Sequence, residues 1–396
     1  MAREVVEVVI VGAARTAVGD FLGIFKDIPA IDLGVVAAGE AIKRAGLKPE
    51  QIEEVVAGMV CVSGAKGNPA RQVQLKAGIP YNTPAATVNQ LCGSGLRATE
   101  IVYEQIALGR ADTGLAVGME NMSQAPYILP RARQGYRMGD GSIHDSMLYD
   151  ALIDAFHNYH MGVTAENLAA KYNISREAQD ELAYLSHKRA VAAIQSGKFK
   201  KEIVPVTYQH KKGTTVLDTD EHPRLDISLE KIAKLRPVFK ADGTVTAANA
   251  SGINDGAAAL VLMARHKAEE LGVKPLARIV ASASAGVPPE IMGIGPAYAI
   301  PKALKFAGLP LEAIDYFEIN EAFAAQFLAV NQELKLDLGK VNANGSGIAL
   351  GHPVGCSGVR ITVTLLYEMA RRNAQYGVAS LCVGGGPGIA MVVERL

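Results

Sequence analysis

Cys92 lies in a setting that could support a reactive thiol. It belongs to the segment 89–95 (NQLCGSG), between a β-rich run at 85–88 and an apolar helical pattern that starts near Leu96. A thiol at a helix N-terminus faces free N–H groups and the positive end of the helix dipole, which favour the thiolate. The flanking glycines would let a substrate carbonyl approach, and the Cys92 N–H could donate to an oxyanion. The alternative is a small residue that fills a crowded turn.

His352 occupies a similar position later in the chain. It lies in the segment 351–358 (GHPVGCSG), which precedes a second apolar helical pattern. The internal repeat described below aligns Cys92 with Gly355, three residues from His352. Equivalent loops of two similar halves can converge, so a Cys–His pair is geometrically feasible. The alternative is a histidine with a purely structural hydrogen bond.

A second thiol, Cys382, opens the glycine-rich segment 382–388 (CVGGGPG). A dinucleotide-binding loop would need a helix after the glycines and an acidic residue about 20 residues further on. Only eight residues follow Gly388, and they have the pattern of a strand. The spacing therefore favours a tight hairpin that presents Cys382 and the N–H of Gly384.

Asn320 stands where an apolar run at 316–319 (YFEI) meets a helical pattern. Its amide could orient a water molecule or donate to an oxyanion. The residue type alone favours the alternative, an ordinary N-cap of the helix that follows.

Two repeated patterns indicate how these residues are positioned. An offset of 262 separates Ala45-Gly46-Leu47 from Ala307-Gly308-Leu309, and an offset of 263 separates the SGLR at 94–97 from the SGVR at 357–360. Each half reads as a strand, a helix that ends at the Ala-Gly-Leu, a second strand, a long apolar helix and a closing strand. Alternating strands and helices, with helices apolar nearly all round, predict an α/β fold whose central helices are buried.

The first half is interrupted by a segment of different composition. Residues 122–249 hold six of the eight histidines, and Ser175 is placed to cap a helix over 175–195. We predict three units: residues 1–121 with 250–271, an inserted domain over 122–249, and residues 272–396. Insertions of this size into a rigid core often bind substrate.

Composition excludes several classes of protein. Forty Lys and Arg balance forty Asp and Glu, which argues against a nucleic-acid-binding surface. No apolar run has the roughly 20 residues that a membrane helix needs, and the start lacks a signal-peptide core. The four cysteines are scattered and His157 and His160 lack a third partner, so no metal site is expected. These features predict a cytoplasmic protein that binds neither nucleic acid nor membrane.

Four segments together resemble the active-site loops of the thiolase family, in the family's order. They are the Cys92 segment, the NEAF at 320–323, the GHP at 351–353 and the CxGGG at 382–386. The resemblance extends over essentially the whole chain. It implies the thiolase fold, with two pseudo-symmetric αβαβα halves in five layers and a loop domain inserted into the first.

Within the family, the chain resembles the biosynthetic members that transfer acetyl groups. The resemblance implies reversible Claisen condensation of two acetyl-CoA molecules to acetoacetyl-CoA and CoA, in a ping-pong scheme. It makes Cys92 the acyl-accepting nucleophile, His352 its activating group and Cys382 the base that removes the α-proton. Asn320 would hold a water beside His352 in one oxyanion hole, and the N–H groups of Cys92 and Gly384 would form the other. The CoA thioesters are substrates, and no cofactor is implied.

The resemblance also implies contacts to the CoA substrate. Without it, Leu152 and Phe239 would be taken as core residues and Arg224 as a surface charge. The implied contacts are Leu152, His160, Met161, Arg224, Phe239, Ala247, Ser251, Ala322 and Phe323.

Three other functions stay open at this point. A degradative 3-ketoacyl-CoA thiolase would accept longer chains, although the bulk of His160 and Met161 would crowd a long acyl tail. A ketoacyl-carrier-protein synthase, from a related family, would lack the base at Cys382. A non-catalytic acyl-CoA or lipid carrier would not need both thiols and His352. The resemblance further implies a homotetramer, a dimer of dimers, in which the loop 131–137 serves assembly unless it is merely a solvated basic loop.

Overall fold

The computed structural model describes residues 5–210 and 213–396. Its strands are, in chain order, β1 Val8–Arg15, β2 Gly19–Asp20, β3 Glu54–Gly58, β4 Ala85–Val88, β5 Thr113–Asn121, β6 Tyr127–Ile128, β7 His144–Asp145, β8 Val206–His210, β9 Gly213–Leu217, β10 Asn254–Ala264, β11 Ala277–Gly286, β12 Tyr316–Ile319, β13 Tyr376–Cys382 and β14 Pro387–Arg395. Its α-helices are α1 Ala30–Arg44, α2 Pro69–Lys76, α3 Ser94–Ala107, α4 Met161–Lys171, α5 Arg176–Gln195, α6 Leu229–Ala233, α7 Arg265–Leu271, α8 Gly295–Ala307, α9 Ala324–Leu334, α10 Gly347–Leu350 and α11 Ser357–Arg372.

The two halves repeat one strand order. The first half runs β1-β10-β5-β3, with β4 at its edge, and the second runs β11-β14-β13-β12. In each half the closing strand is antiparallel to both of its neighbours, whereas the strand before the buried helix is parallel to its partner. A short antiparallel pairing of β1 with β11 joins the two sheets along one edge. The duplication predicted from the sequence is therefore confirmed.

Three apolar cores separate the layers. The middle core holds α3 and α11 between inward side chains of both sheets. A second core packs α1 on the outer face of the first sheet, and a third packs α8 on the outer face of the second. Because α11 lies between two sheets, most of its residues are buried, whereas α1 keeps a polar side in solvent. This αβαβα arrangement confirms the predicted fold class.

The glycines that end the first helix of each half have the predicted conformation. Gly46 and Gly308 have φ values of 71° and 68°, in the left-handed region that glycine adopts without strain. Ser175 caps α5 as predicted, since its hydroxyl accepts the N–H of Ala178. The segment Gly12–Arg15 lies within β1, so it forms no loop.

A buried ion cluster ties the segment 122–249 to the first half. The Arg15 guanidinium, fully buried, pairs with Glu202 at 2.8 Å and with Asp220 at 2.7 Å. Burying these charges is tolerable because they are paired and hydrogen-bonded. The segment is thus seated on the sheet, while the exact limits given for the three units stay a prediction.

Candidate active site

Cys92 lies on a strained turn between β4 and α3. Leu91, just before it, has a φ of 46°, which is unusual for a residue with a side chain. The Ser94 hydroxyl stabilises the turn by accepting the N–H of Gln90 and donating to the carbonyl of Leu91. Gly93 caps α3, and the Cys92 thiol is partly exposed to an adjoining cavity. The predicted position at a helix N-terminus is thus observed.

Close packing of glycines brings the His352 loop to this turn. A Cβ on Gly358 would lie 2.2 Å from the backbone nitrogen of Leu96, and a Cβ on Gly95 would lie 2.9 Å from the carbonyl oxygen of Gly355. The N-terminal ends of α3 and α11 can touch only because both lack side chains there. Two segments more than 250 residues apart thereby face one cavity.

His352 is held in place by three groups. Its backbone N–H donates to the Asn254 side chain at 2.9 Å, and its Nδ1 lies 2.6 Å from the Ser357 hydroxyl. Its Nδ1 also lies 3.4 Å from the amide nitrogen of Asn320. In the described part of the chain its buried Nε2 has no hydrogen-bond partner, and the same is true of the Asn320 Oδ1. Both atoms can therefore serve a substrate or a water molecule.

Asn320 does not cap a helix, so that alternative is wrong. The helix after it, α9, begins at Ala324, with Phe323 at the N-cap position. Asn320 instead directly follows β12, where its backbone N–H donates to the carbonyl oxygen of Ser380. This leaves its amide group free to face the imidazole of His352.

The pKa values describe a resting site of neutral groups. Burial, reinforced by the charge of Arg360, lowers the pKa of His352 to about 3. Burial raises the pKa of Cys92 to about 11, although the N–H groups of Gly384 and of Cys92 itself donate to its sulfur and oppose the rise. The backbone N–H groups do favour the thiolate, as expected, but desolvation of the charge outweighs them and the thiol stays protonated.

Cys382 ends β13 and, as predicted, opens a hairpin to β14. A Cβ on Gly386 would lie 2.1 Å from the carbonyl oxygen of Val287, so this turn requires glycine. Burial and the neighbouring Cys92 raise the pKa of Cys382 well above its ordinary value. The hairpin packs against the Cys92 turn, since the N–H of Gly384 donates to the Cys92 sulfur and a Cβ on Gly93 would lie 2.9 Å from the Val383 side chain.

A single cavity of about 530 Å³ gathers the predicted residues. Two of the predicted residues, Asn320 and Cys382, do not line it; Asn320 contacts His352, and Cys382 lies two residues before Gly384. The predicted residues that line it are Cys92, Leu152, His160, Met161, Arg224, Phe239, Ala247, Ser251, Ala322, Phe323, His352 and Gly384.

One wall of the cavity is aromatic. The rings of His160 and Phe239 stack with centroids 4.6 Å apart, and Phe323 meets Phe239 edge-on at 6.1 Å. A Cβ on Gly162 would lie 2.3 Å from the Phe239 ring, so glycine there lets the ring approach α4. Burial lowers the pKa of His160, which keeps this wall uncharged.

Sequence reasoning missed several residues of the site. His222 and Asp20 pair at the cavity wall, near Arg224. Asn254 and Ser357, which hold His352, were also not singled out. His222 could have been predicted as a site residue, because it lies two residues before the predicted contact Arg224. Asn254 gave no signal, because its partner lies 98 residues away in sequence.

The remaining cysteines lie apart from this chemistry. Cys61 and Cys356 are buried, and burial raises the pKa of Cys356 to about 12. Within residues 5–210 and 213–396, no group of three His, Cys, Asp or Glu side chains is arranged to hold a metal ion. His157 and His160 do not share a helix, since α4 begins at Met161. In the same ranges, no helix has the length and apolar character needed to cross a bilayer.

Two family models together match nearly the whole chain. The model of the thiolase N-terminal domain matches residues 8–266, and that of the thiolase C-terminal domain matches residues 273–395. The chain belongs to the thiolase family. The boundary between the two matches falls after β10, the closing strand of the first half.

Relatives in this family match along nearly their full length. The chain is 52% identical to the acetyl-CoA acetyltransferase of Allochromatium vinosum and 53% identical to that of Escherichia coli, in each case over 98% of this chain and 99% of the relative. The acetyl-CoA acetyltransferase structure from Syntrophomonas wolfei superposes with a TM-score of 0.98 at 50% identity, covering 99% of this chain and 100% of that one. Human mitochondrial 3-ketoacyl-CoA thiolase superposes with a TM-score of 0.96 at 44% identity, with both chains fully covered.

Proposed function

We propose that this protein is an acetyl-CoA C-acetyltransferase that condenses two acetyl-CoA molecules to acetoacetyl-CoA and CoA, reversibly. The observation that carries the proposal is that one cavity brings together the Cys92 thiol, the His352 imidazole and Gly384, which belongs to the hairpin that Cys382 opens. A nucleophile, a neutral base and a second thiol are what a ping-pong acyl transfer between thioesters requires. The names of the relatives support acetyl-CoA as the substrate.

In the first half-reaction, acetyl-CoA acetylates Cys92. The free Nε2 of neutral His352 takes the thiol proton as the Cys92 sulfur attacks the carbonyl carbon. The C–S bond to CoA then breaks, and the Cys382 thiol gives its proton to the departing CoA sulfur. Cys92 carries the acetyl group as a thioester, so the reactivity of the bond is conserved.

In the second half-reaction, a second acetyl-CoA binds and loses an α-proton to the Cys382 thiolate. Because burial raises the pKa of Cys382, its thiolate is a stronger base than an exposed one and suits this weak carbon acid. The enolate carbon attacks the acetyl group, and the Cys92–acyl bond breaks. The proton held by His352 returns to Cys92, and acetoacetyl-CoA leaves.

Two sets of donors would stabilise the negative oxygens. The N–H groups of Cys92 and Gly384, which point at the Cys92 sulfur in the resting site, suit the oxygen of the acetyl group on that sulfur. Asn320 and His352 lie side by side, and the Asn320 Oδ1 and the His352 Nε2 have no hydrogen-bond partner among the described residues. These two groups suit the thioester oxygen of the second substrate, with a water held by Asn320.

The rest of the cavity would bind the CoA moiety. The wall formed by Leu152, Met161 and Phe239 suits the apolar parts of pantetheine, and Ser251 offers it a hydrogen bond. The Arg224 side chain, 62% exposed at the mouth, suits the nucleotide end. Ala247, Ala322, Phe323 and His160 complete the surface.

We also propose a cytoplasmic homotetramer, with the segment 122–249 as the CoA-binding domain. Every residue of the loop 131–137 is exposed, and Met138 beside it is 97% exposed. An apolar side chain so exposed, next to a basic loop, fits a contact between subunits.

Replacing Cys92 by Ala tests the proposal. With labelled acetyl-CoA, the wild-type protein should acquire one covalent acetyl group, and the Cys92→Ala variant should acquire none. Covalent label that persists in the variant would refute the assignment.

A chain-length series separates the proposal from a degradative thiolase. Thiolysis should proceed with acetoacetyl-CoA and fall off with long ketoacyl chains, because His160 and Met161 close the acyl end of the cavity. The reverse profile would favour the degradative function, and CoA binding without any turnover would favour a carrier.

A further inference from the structure

Glu120 is a buried carboxylate whose hydrogen bonds go to backbone amides of two distant loops. It lies near the end of β5, and no part of it is exposed. Its Oε1 accepts the N–H of Cys61 at 3.0 Å. Its Oε2 accepts the N–H of Val60 at 3.0 Å and the N–H of Gly355 at 2.9 Å.

These amides belong to different halves of the molecule. Val60 and Cys61 follow β3 in the first half, whereas Gly355 lies in the second half, between His352 and α11. Glu120 itself is part of the first half. One carboxylate therefore fastens the loop that carries His352 to the sheet of the opposite half.

Gly355 is seated tightly in this position. A Cβ there would lie 2.8 Å from the Oε2 of Glu120 and 2.8 Å from the carbonyl oxygen of Met119. On its other side, the carbonyl oxygen of Gly355 contacts Gly95 in the first turn of α3, the helix that follows Cys92. A shift of Gly355 would therefore change the placement of His352 relative to Cys92.

We propose that Glu120 is a positioning residue, which sets the His352 imidazole against the Cys92 thiol by anchoring the His352 loop to the first half. The proposal rests on the function proposed above. Glu120 touches no reacting atom in this scheme. Its effect on the rate is exerted through the geometry of the pair, where a displacement of about 1 Å can cost on the order of 100-fold.

The chemistry of the three donors explains why a carboxylate is needed. An ionised carboxylate has two oxygens that only accept hydrogen bonds, so it can satisfy three converging N–H groups. A glutamine has nearly the same shape but replaces one oxygen by an NH₂ group. In either orientation of the amide, that NH₂ would face at least one backbone donor, leaving it buried without an acceptor.

The test compares Glu120→Gln with a matched control, Glu166→Gln. Glu166 is 5% exposed and accepts the backbone N–H groups of Thr244 and Val245, so the same substitution disturbs a similar buried cluster elsewhere. Burial raises the pKa of Glu120 to about 7. The assays should therefore be run at about pH 8, where the wild-type carboxyl group is mostly ionised.

For Glu120→Gln we expect the rate of Cys92 acetylation and kcat for thiolysis to fall by about 10- to 100-fold. The KM for acetoacetyl-CoA should stay within about twofold, because the cavity walls come from other segments. Glu166→Gln should keep kcat within about twofold even if its melting temperature falls equally. An unchanged kcat in Glu120→Gln, or an equal loss of kcat in the control, would overturn the proposal.

Amide hydrogen exchange provides a readout that does not depend on activity. Glu120→Gln should exchange faster than wild type in peptides that cover 59–62 and 351–357, and Glu166→Gln should not. If Glu120→Gln does not fold, the amides of Val60, Cys61 and Gly355 in the wild-type protein should be protected as strongly as those of β5, and rapid exchange would overturn the anchor. Loss of the proposed function would show instead as a wild-type protein that acquires no acetyl group on Cys92.

Discussion

Cys92 and His352 form a neutral pair in the resting site. The helix end lowers the pKa of the thiol less than burial raises it, and burial keeps the imidazole unprotonated. The resting site therefore avoids the cost of burying a thiolate–imidazolium ion pair. In the proposed reaction, the thiolate forms only when His352 removes the proton during attack, which suits a nucleophile that must not react with other electrophiles.

The pH dependence of alkylation measures this state. Because the pKa of Cys92 is about 11, the thiolate fraction rises throughout the range from about pH 7 to about pH 10. The rate of iodoacetamide labelling at Cys92 should therefore increase over the whole range. Cys92→Ser supplies the background from the three other cysteines. A plateau below about pH 8 would mean that the resting thiol has an ordinary or lowered pKa.

At the residue scale, the sequence revealed which residues are candidates for the site but not how deeply each one is buried. The residue types around Cys92, His352 and Cys382 were enough to select them. The protonation states of these side chains could not be predicted from the sequence, because they depend on how completely the surrounding layers exclude water. Glu120 and Asn254 could not be assigned to the site either, since each bonds to a loop that is remote in sequence.

At the scale of elements, the helix pair α3 and α11 forms the frame of the site. Their N-terminal turns meet through glycines, which brings the Cys92 turn and the His352 loop to one cavity. The repeat predicted this pairing, because equivalent segments of two similar halves were expected to meet. It also located the main strands and helices of the two halves, although α3 begins at Ser94, two residues before the predicted start. The pairing of β1 with β11 was not predictable, since no sequence pattern records which edges of two sheets meet.

Gly358→Ala tests the helix contact. Its new Cβ would lie 2.2 Å from the backbone of Leu96, which cannot move aside as a flexible side chain could. We expect a loss of about 1–3 kcal/mol in the free energy of unfolding, together with lower kcat. The control is Gly39→Ala in α1, which meets no atom within 4 Å and should stabilise the helix by about 0.5–1 kcal/mol. Chemical denaturation would measure both, and equal stabilities for the two variants would contradict the contact.

At the scale of the whole molecule, both halves and the segment 122–249 contribute residues to one cavity. Apolar side chains stay exposed on that segment, among them Met138 at 97% and Ile143 at 62%. We expect them to be buried between subunits of the proposed tetramer. Composition alone could not identify these side chains, because which residues lie at the surface is decided only when the chain folds.

Met138→Asp tests the assembly. A charge in an apolar contact between subunits is costly, so the variant should sediment as a smaller species than the wild-type tetramer. Phe306→Asp, at a side chain that is 62% exposed on α8, is the control and should leave the mass unchanged. A wild-type protein that sediments as a monomer, or a variant that stays tetrameric, would contradict the role of this loop.

The most direct test of the account is the intact mass of a Cys382→Ala variant after exposure to acetyl-CoA. If two thiols and one imidazole divide the reaction as described, this variant should gain a single acetyl group, located on Cys92, and release CoA without forming acetoacetyl-CoA. The acetyl group should be gained more slowly than in the wild type, because the departing CoA sulfur no longer receives a proton from Cys382. Acetoacetyl-CoA formed at the wild-type rate, or an acetyl group located on any other residue, would contradict it.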